Sequence, residues 1–404
     1  MMKKSDLQEV VALQARNLIQ EQDWILRDIL PLLPLNIESH ALIISGVRRC
    51  GKSTVLRQLL YNQLDDVFFL NFDTPKLFNF EIDDFSILDE IIREQEKNIL
   101  LFDEIQSVKG WELFIRQKLD DRFRVFITGS NASLLSRELG TKLTGRHITK
   151  ELFPFSFSEF CRFKKLKADV NSLAEYLNSG GFPEYLKTNN QEILVHLIND
   201  IVYRDISVRY NIRDVSLAKQ LLIYLASNVA KPTSATRLTQ VLPIKSPVTI
   251  LDYFSFFEQT YLLQLIPKFS YSVRAQMVNP KKVYFLDNGL VNALSVSFSS
   301  DFGRKLENAV FAELRKKHLE IYYFSEKGKE CDFVIFENQK PIHLIQVCYQ
   351  INSDNEAREK SGLLAAMDFF NLKKGTIITF DQNDKWILTE KTVNVVPFYN
   401  YFSK

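Results

Sequence analysis

The sequence predicts an α/β chain in three parts: a parallel sheet built around a phosphate-binding turn, a helical segment with a winged helix, and a second α/β domain. Three observations predict it. The apolar run Ala41-Leu42-Ile43-Ile44 leads straight into Gly46-Val47-Arg48-Arg49-Cys50-Gly51-Lys52-Ser53, which fits G-x-x-x-x-G-K-[ST]. A second apolar run, Ile99-Leu100-Leu101-Phe102, ends on two carboxylates, Asp103 and Glu104. From Leu306 onward a helical pattern, three strand patterns and another helical pattern follow one another.

Bulk composition narrows the classes. A chain of 404 residues has room for two or three domains and a substantial core. Lys and Arg number 51 against 49 Asp and Glu, so net charge gives no argument for nucleic acid or a membrane surface. The four cysteines, Cys50, Cys161, Cys331 and Cys348, lie far apart. No pair has metal-ligand spacing or suggests a disulfide framework, and a reducing cytoplasm is the simplest compartment. The start leads into an amphipathic helix, not an apolar signal core. No apolar run is long enough to span a bilayer, so no membrane partner is expected.

Ser5 and Gln8 suggest a capping box for a first helix with Val10, Val11, Leu13, Leu18 and Ile19 on its apolar side. Pro31 and Pro34 break the chain, and residues 1–36 read as a helical arm. Residues 37–152 read as the nucleotide module. The strand Ala41 to Ile44 and a helix with Val55, Leu56, Leu59 and Leu60 on one face flank the glycine turn. The turn lets backbone N–H groups cup phosphate oxygens, and the helix N-terminus adds partial positive charge. Gly46, Val47, Arg48, Arg49, Cys50, Gly51, Lys52, Ser53 and Thr54 form the binding set, with the Arg48 and Arg49 side chains turned to solvent or to acids. Lys52 is expected on the β- and γ-phosphates, and Ser53 on a magnesium ion. Further strands are expected at Val67 to Phe72, Ile99 to Phe102 and Val125 to Thr128. Asp103, at a strand C-terminus where open α/β sheets bind ligands, is expected to hold the magnesium. Glu104 is expected to orient and polarise the attacking water. Thr128, Ser130 and Asn131 can each sense a γ-phosphate; Asn131 is the choice, and the same residues also make good helix caps. Arg146 can sit on a γ-phosphate of its own or a neighbouring copy.

These motifs occur in one order: Gly46 to Ser53, Phe102-Asp103-Glu104-Ile105-Gln106, Thr128-Gly129-Ser130-Asn131, Leu143-Thr144-Gly145-Arg146 and Pro154 to Phe160. The chain thereby resembles prokaryotic AAA-type ATPases with a C-terminal domain of uncharacterised function. The resemblance continues through Gly180-Gly181-Phe182-Pro183-Glu184, Arg204-Asp205-Ile206 and Val283 to Leu290. It implies an additional-strand P-loop NTPase fold, adenine over guanine, ATP with Mg as the ligands, and Arg146 near a phosphate.

Residues 153–272 read as a helical lid and winged helix. Gly180 to Pro183 is a turn between helices, and Asp200 to Asp205 a helix carrying Tyr203 and Arg204. Helices are expected near Val215 to Asn228 and Ser234 to Val241, then one capped by Ser246 with Pro247 at its first position. Tyr261 to Leu265 reads as a wing strand. The third helix offers Thr249, Asp252, Ser255 and Glu258 with only Lys245 before it, a poor set for phosphates and base edges. A structural or protein-binding role suits it better than DNA reading.

Residues 273–404 resemble the restriction-endonuclease-like fold. A helix carries Glu307 and Glu313. Strands follow at Ile321 to Phe324, Cys331 to Phe336 and Ile342 to Tyr349, then a helix capped by Ser353 and Glu356, then Thr376 to Thr379. That fold uses an Asp on one strand and Glu-x-Lys on the next. Asp332 fits the first place and Glu307 stands beside it. The second place is Gln346-Val347-Cys348, with a neutral ligand and no ammonium; Lys360 would have to reach in to restore one. The domain therefore reads as degenerate, suited to binding or assembly. The function expected of the whole is Mg-dependent ATP binding and hydrolysis that switches the C-terminal domains. An ATP-gated DNA-acting enzyme and a non-hydrolysing nucleotide-bound scaffold stand as alternatives. DNA, a protein partner and a second copy of the chain remain open as further partners.

Overall fold

The computed structural model describes residues 2–18, 24–62, 64, 66–129, 143–212, 214–295, 301–388 and 390–403. The chain divides into two compact units, Met1–Phe153 and Pro154–Lys404. Among the described residues no helix is long and apolar enough to cross a membrane.

The N-terminal unit is organised by a five-stranded parallel sheet in the order β2-β3-β4-β1-β5. The strands are β1 (Ala41–Ser45), β2 (Val67–Asn71), β3 (Ile99–Asp103), β4 (Arg124–Gly129) and β5 (His147–Glu151). β1 and β3 are buried on both faces, which is why they read as unbroken apolar runs. β5 is half-buried along its whole length and carries the polar sequence His-Ile-Thr-Lys-Glu, so no apolar run marks it. The helices are α1 (Lys4–Leu18), α2 (Lys52–Asn62), α3 (Phe85–Glu94) and α4 (Trp111–Asp120). α1 starts two residues too early for a Ser5 cap: the Asp6 and Leu7 amides bond to the Lys3 carbonyl, and the Ser5 hydroxyl turns to Asp6. Leu7, Val10 and Val11 of α1 share one core with Phe68, Leu100, Phe102 and Ile91, while Leu13 is exposed. Rings fill that core; Phe85 stacks on Phe114 at 4.5 Å, and Phe72 meets Phe80 edge-on at 5.4 Å.

The C-terminal unit opens with helices, among them Phe157–Lys164, Val170–Ser179 and Glu192–Asp200. Ile201–Ser207, expected as ordinary helix, is π-helical. The helices Val215–Ser227, Ala235–Leu238 and Pro247–Gln259 then stand beside a three-stranded antiparallel sheet. Its strands are β6 (Pro232–Thr233), β7 (Leu263–Pro267) and β8 (Lys281–Phe285), with β8 in the middle. The expected boundary at residue 272 falls between the paired strands β7 and β8. β7 begins two residues later than expected, because Tyr261 turns the chain with φ +59°. Ser246 holds the N-cap position without a side-chain cap bond, and Glu258 is turned inward to accept from the Leu265 amide at 3.0 Å.

A six-stranded mixed sheet completes this unit in the order β13-β14-β12-β11-β10-β9. It comprises β9 (Glu320–Glu326), β10 (Lys329–Glu337), β11 (Lys340–Val347), β12 (Lys374–Thr379), β13 (Asp384–Leu388) and β14 (Lys391–Pro397). The helix Glu356–Phe369 covers one face through Leu363, Ala366 and Met367. Its N-cap is Asn355, and Ser353 bonds to Asp354, so the expected Ser353–Glu356 box does not form.

Two of the sequence motifs meet in this unit. Asp287 is buried and accepts from the amides of Gly181 at 2.6 Å and Gly289 at 2.7 Å. Gly180 has φ +71°, and a Cβ there would lie 2.1 Å from the Asp287 carboxylate, so only glycine lets the turn close over it. Burial pushes the Asp287 carboxyl up to about 6, against 3.8 for a free side chain. The folded state therefore binds its proton more tightly than the unfolded state. That contribution is full below about pH 4 and is lost as pH rises through about 6, a difference of about 3 kcal/mol. Urea unfolding of wild type and Asp287→Asn across this range should show the wild type losing stability relative to the variant as pH rises. A pH-independent difference would contradict the assignment.

Candidate nucleotide site

The turn between β1 and α2 has the shape its composition asks for. Gly46 has φ +153°, and a Cβ there would lie 2.0 Å from the Leu152 carbonyl. Gly51 has φ +101° and Arg49 φ +61°, both left-handed, so the chain doubles back before α2 begins at Lys52. The Lys52 side chain is only 4% exposed. Its ammonium donates to the carbonyls of Gly46 at 3.1 Å and Val47 at 3.0 Å and lies 3.9 Å from the Glu104 carboxylate.

β3 delivers the acids. Asp103 is 1% exposed, and β4 lies between its strand and β1. Thr128 at the end of β4 bridges that gap: its hydroxyl donates to Asp103 Oδ1 and accepts the Glu104 amide at 3.2 Å. Asp103 Oδ2 is buried without a hydrogen-bond partner. Burial lifts the Asp103 carboxyl above its ordinary range; the Thr128 hydroxyl opposes this, Glu104 adds to it, and the Ser53 hydroxyl opposes it. An orphaned carboxylate oxygen beside a serine hydroxyl fits a hard, oxygen-bound cation. Asp103 and Ser53 would hold magnesium, which supplies charge neutralisation for a polyphosphate. Glu104 sits in the left-handed region at φ +54°, and the Gln106 amide donates to its carboxylate.

The structure thus brings Lys52, Ser53, Asp103, Glu104 and Thr128 together. It does not bring Arg146 to them. Arg146 precedes β5, its carbonyl accepts from the Ala41 amide, and its guanidinium bonds to the Ser39 carbonyl at 3.0 Å and to Asp120. Ala41, the first residue of β1, pairs with His147, so Arg146 stands at the opposite end of the sheet, about 20 Å along the strand direction from Gly46. Ser130 and Asn131 lie outside the described residues. Sequence reading missed Arg27. Its guanidinium is 4% exposed and donates to the carbonyls of Cys50 and Phe153, each at 2.7 Å. Arg27 thereby ties the phosphate turn to the segment after β5. A lone Arg in a Pro-flanked stretch gives no signal for this.

A family model described as AAA domain matches residues 38–161. Two models described as domains of unknown function, DUF8612 and DUF4143, match residues 170–301 and 302–401. An uncharacterized protein of Methanocaldococcus jannaschii is 35% identical across 99% of this chain and 96% of its own length. The chain belongs to this family of AAA-domain proteins. An uncharacterized protein of Haemophilus influenzae is 30% identical, covering 82% of this AAA protein and 87% of itself. Among solved structures, a signal transduction ATPase with numerous domains and a tetratricopeptide repeat sensor, from Pyrococcus horikoshii, has 13% identity and a TM-score of 0.30. That match covers 74% of this AAA protein and 46% of the other chain.

Thr128 serves two buried partners, so removing its hydroxyl strands both. Thr128→Val should destabilise the N-terminal unit by about 1–3 kcal/mol in chemical denaturation. Thr128→Ser, which keeps the hydroxyl, should recover most of that loss. Equal losses in both variants would show that the methyl group, and not the bridge, matters.

Proposed function

We propose that this AAA protein binds Mg-ATP and hydrolyses it. One observation carries the reading: an ammonium, an orphaned carboxylate oxygen and a second carboxylate converge at the end of one parallel sheet, beside a helix N-terminus. Lys52 exchanges weak carbonyl acceptors for β- and γ-phosphate oxygens, which are stronger partners for a cation. The amides of the glycine turn and of α2 cup the phosphates. Asp103 and Ser53 hold the magnesium. Glu104, already oriented by Gln106, accepts a proton from the attacking water. Adenine specificity rests on the family alone. The role left to Arg146 is toward a neighbouring copy's nucleotide.

In the C-terminal unit the three helices with the β6-β8-β7 sheet support a winged-helix reading, and β9 to β12 with their flanking helices support a restriction-endonuclease-like one. Only Asp252 and Ser255, of the four polar residues considered for DNA reading, are exposed on the third helix. That face offers no cation to a phosphate backbone, which favours a structural or protein-binding role. A switch of these domains by nucleotide state is the matching proposal for how hydrolysis is used.

Phosphate release measured for wild type, Lys52→Ala and Glu104→Gln tests the reading. Lys52→Ala should weaken nucleotide binding at least tenfold. Glu104→Gln should still bind, with turnover lower by about 10²–10⁴-fold. Unchanged turnover in Glu104→Gln removes it from the chemistry, and tight binding without any release in wild type points to a nucleotide-bound scaffold.

A further inference from the structure

The restriction-endonuclease-like reading implies a divalent metal at Asp332, and the residues there do not fit one. Asp332 lies where the β9–β10 register shifts, between Cys331 and Val334, and its side chain meets Lys282 of β8. Lys282 is 2% exposed. Its ammonium lies 2.8 Å from Asp332, 3.2 Å from Glu307 on the Phe302–Lys317 helix and 2.6 Å from Glu330. The ammonium donates to Asp332 and Glu307, and Glu330 completes the set as an ion pair. Two of these acids bond further within the protein. Asp332 Oδ2 accepts from the Val347 amide at 2.9 Å, and the Tyr284 hydroxyl donates to Glu307 at 2.6 Å.

The second strand of the motif is equally committed. The Gln346 carbonyl accepts from the Asp332 amide at 3.2 Å, and its amide group donates to Glu359 at 2.7 Å. Glu359 in turn accepts from the Arg358 guanidinium at 3.0 Å. The Cys348 thiol turns to the Gln350 carbonyl at 3.3 Å. Lys360, which the sequence suggested as a replacement ammonium, instead lies over the Trp386 ring at 5.1 Å. Glu313, the other helix acid considered, bonds elsewhere, to the Phe157 amide and the Tyr176 hydroxyl. Among the described residues no group of three His, Cys, Asp or Glu is arranged to hold a metal ion.

We propose that the Lys282 ammonium is a built-in cation that fills the place a divalent metal would need, so that the acid centre of the C-terminal unit is closed to metal. Glu307, Glu330 and Asp332 keep the oxygen set a hard cation would use, and the chain supplies the cation itself. Without Lys282 that set becomes a cation site. The inference rests on the geometry of this cluster and is independent of the nucleotide reading.

The test counts Mn2+ bound to the nucleotide-free full chain by electron paramagnetic resonance. Wild type and Asp332→Asn should bind equally, since Asp332 has no metal to lose. Lys282→Met should gain about one Mn2+ per chain and be stabilised by it, and Lys282→Met with Asp332→Asn should lose that gain. Any metal at Asp103 contributes alike to all four proteins, so failure of the nucleotide reading leaves these differences intact. Wild-type binding that disappears in Asp332→Asn overturns the proposal, as does a folded Lys282→Met that binds no extra ion. Lys282→Met leaves three acids unpaired and can fail to fold. Then the neutralised variant Lys282→Met, Glu307→Gln, Asp332→Asn decides. Recovery of folding supports the counter-ion role, and continued failure overturns it.

Discussion

A buried ammonium must have all its protons accepted, and what accepts them decides whether it is available to anything else. Lys52 in the N-terminal unit and Lys282 in the C-terminal unit are two such lysines. Lys52 leans on two neutral carbonyls, with a carboxylate 3.9 Å away. Neutral carbonyls are weaker partners for a cation than anionic oxygens are. Lys282 is held by three carboxylates within 3.2 Å, and no neutral ligand competes with that. The same type of side chain is held by neutral carbonyls in one unit and by carboxylates in the other.

The topology of the N-terminal sheet sets how the nucleotide residues find one another. β4 stands between the strand that feeds the phosphate turn and the strand that carries the acids. A residue on β4 must then transmit position across the gap, and Thr128 does so with a single hydroxyl shared between Asp103 and Glu104. Arg27 works from outside the sheet, donating to the carbonyls of Cys50 and Phe153. Both residues act on the site by holding backbone and carboxylate groups in place.

In the C-terminal unit the acids of the Phe302–Lys317 helix and of β10 are bonded to groups within the protein. Gln346 and Cys348, the residues at the place where the proposed motif would need Glu and Lys, are each bonded to a neighbour within the protein. The Asp287 clasp on the Gly180–Gly181 turn likewise commits a carboxylate to this unit's own architecture.

Apolar runs and glycine spacing were enough to place β1, β3, β4, the phosphate turn and the Asp103–Glu104 pair. Those features are local: a strand buried on both faces must be apolar throughout, and a turn that cups phosphate needs left-handed glycine. β5 was illegible because an edge strand need not be apolar. The capping boxes at Ser5 and Ser353 failed because a helix start is fixed by which amide finds a carbonyl first, and packing moved both starts by a residue or more. Arg146 looked like a phosphate ligand from its neighbours in sequence, yet strand direction carries it to the far end of the sheet. Arg27 and Lys282 gave no signal, since the atoms that hold them lie up to 126 residues away along the chain. The sequence by itself determined which chemistry each strand end could offer. Only the tertiary structure decided which of those groups meet and what satisfies each buried charge, because hydrogen-bond partners are chosen by proximity in space and not by order along the chain.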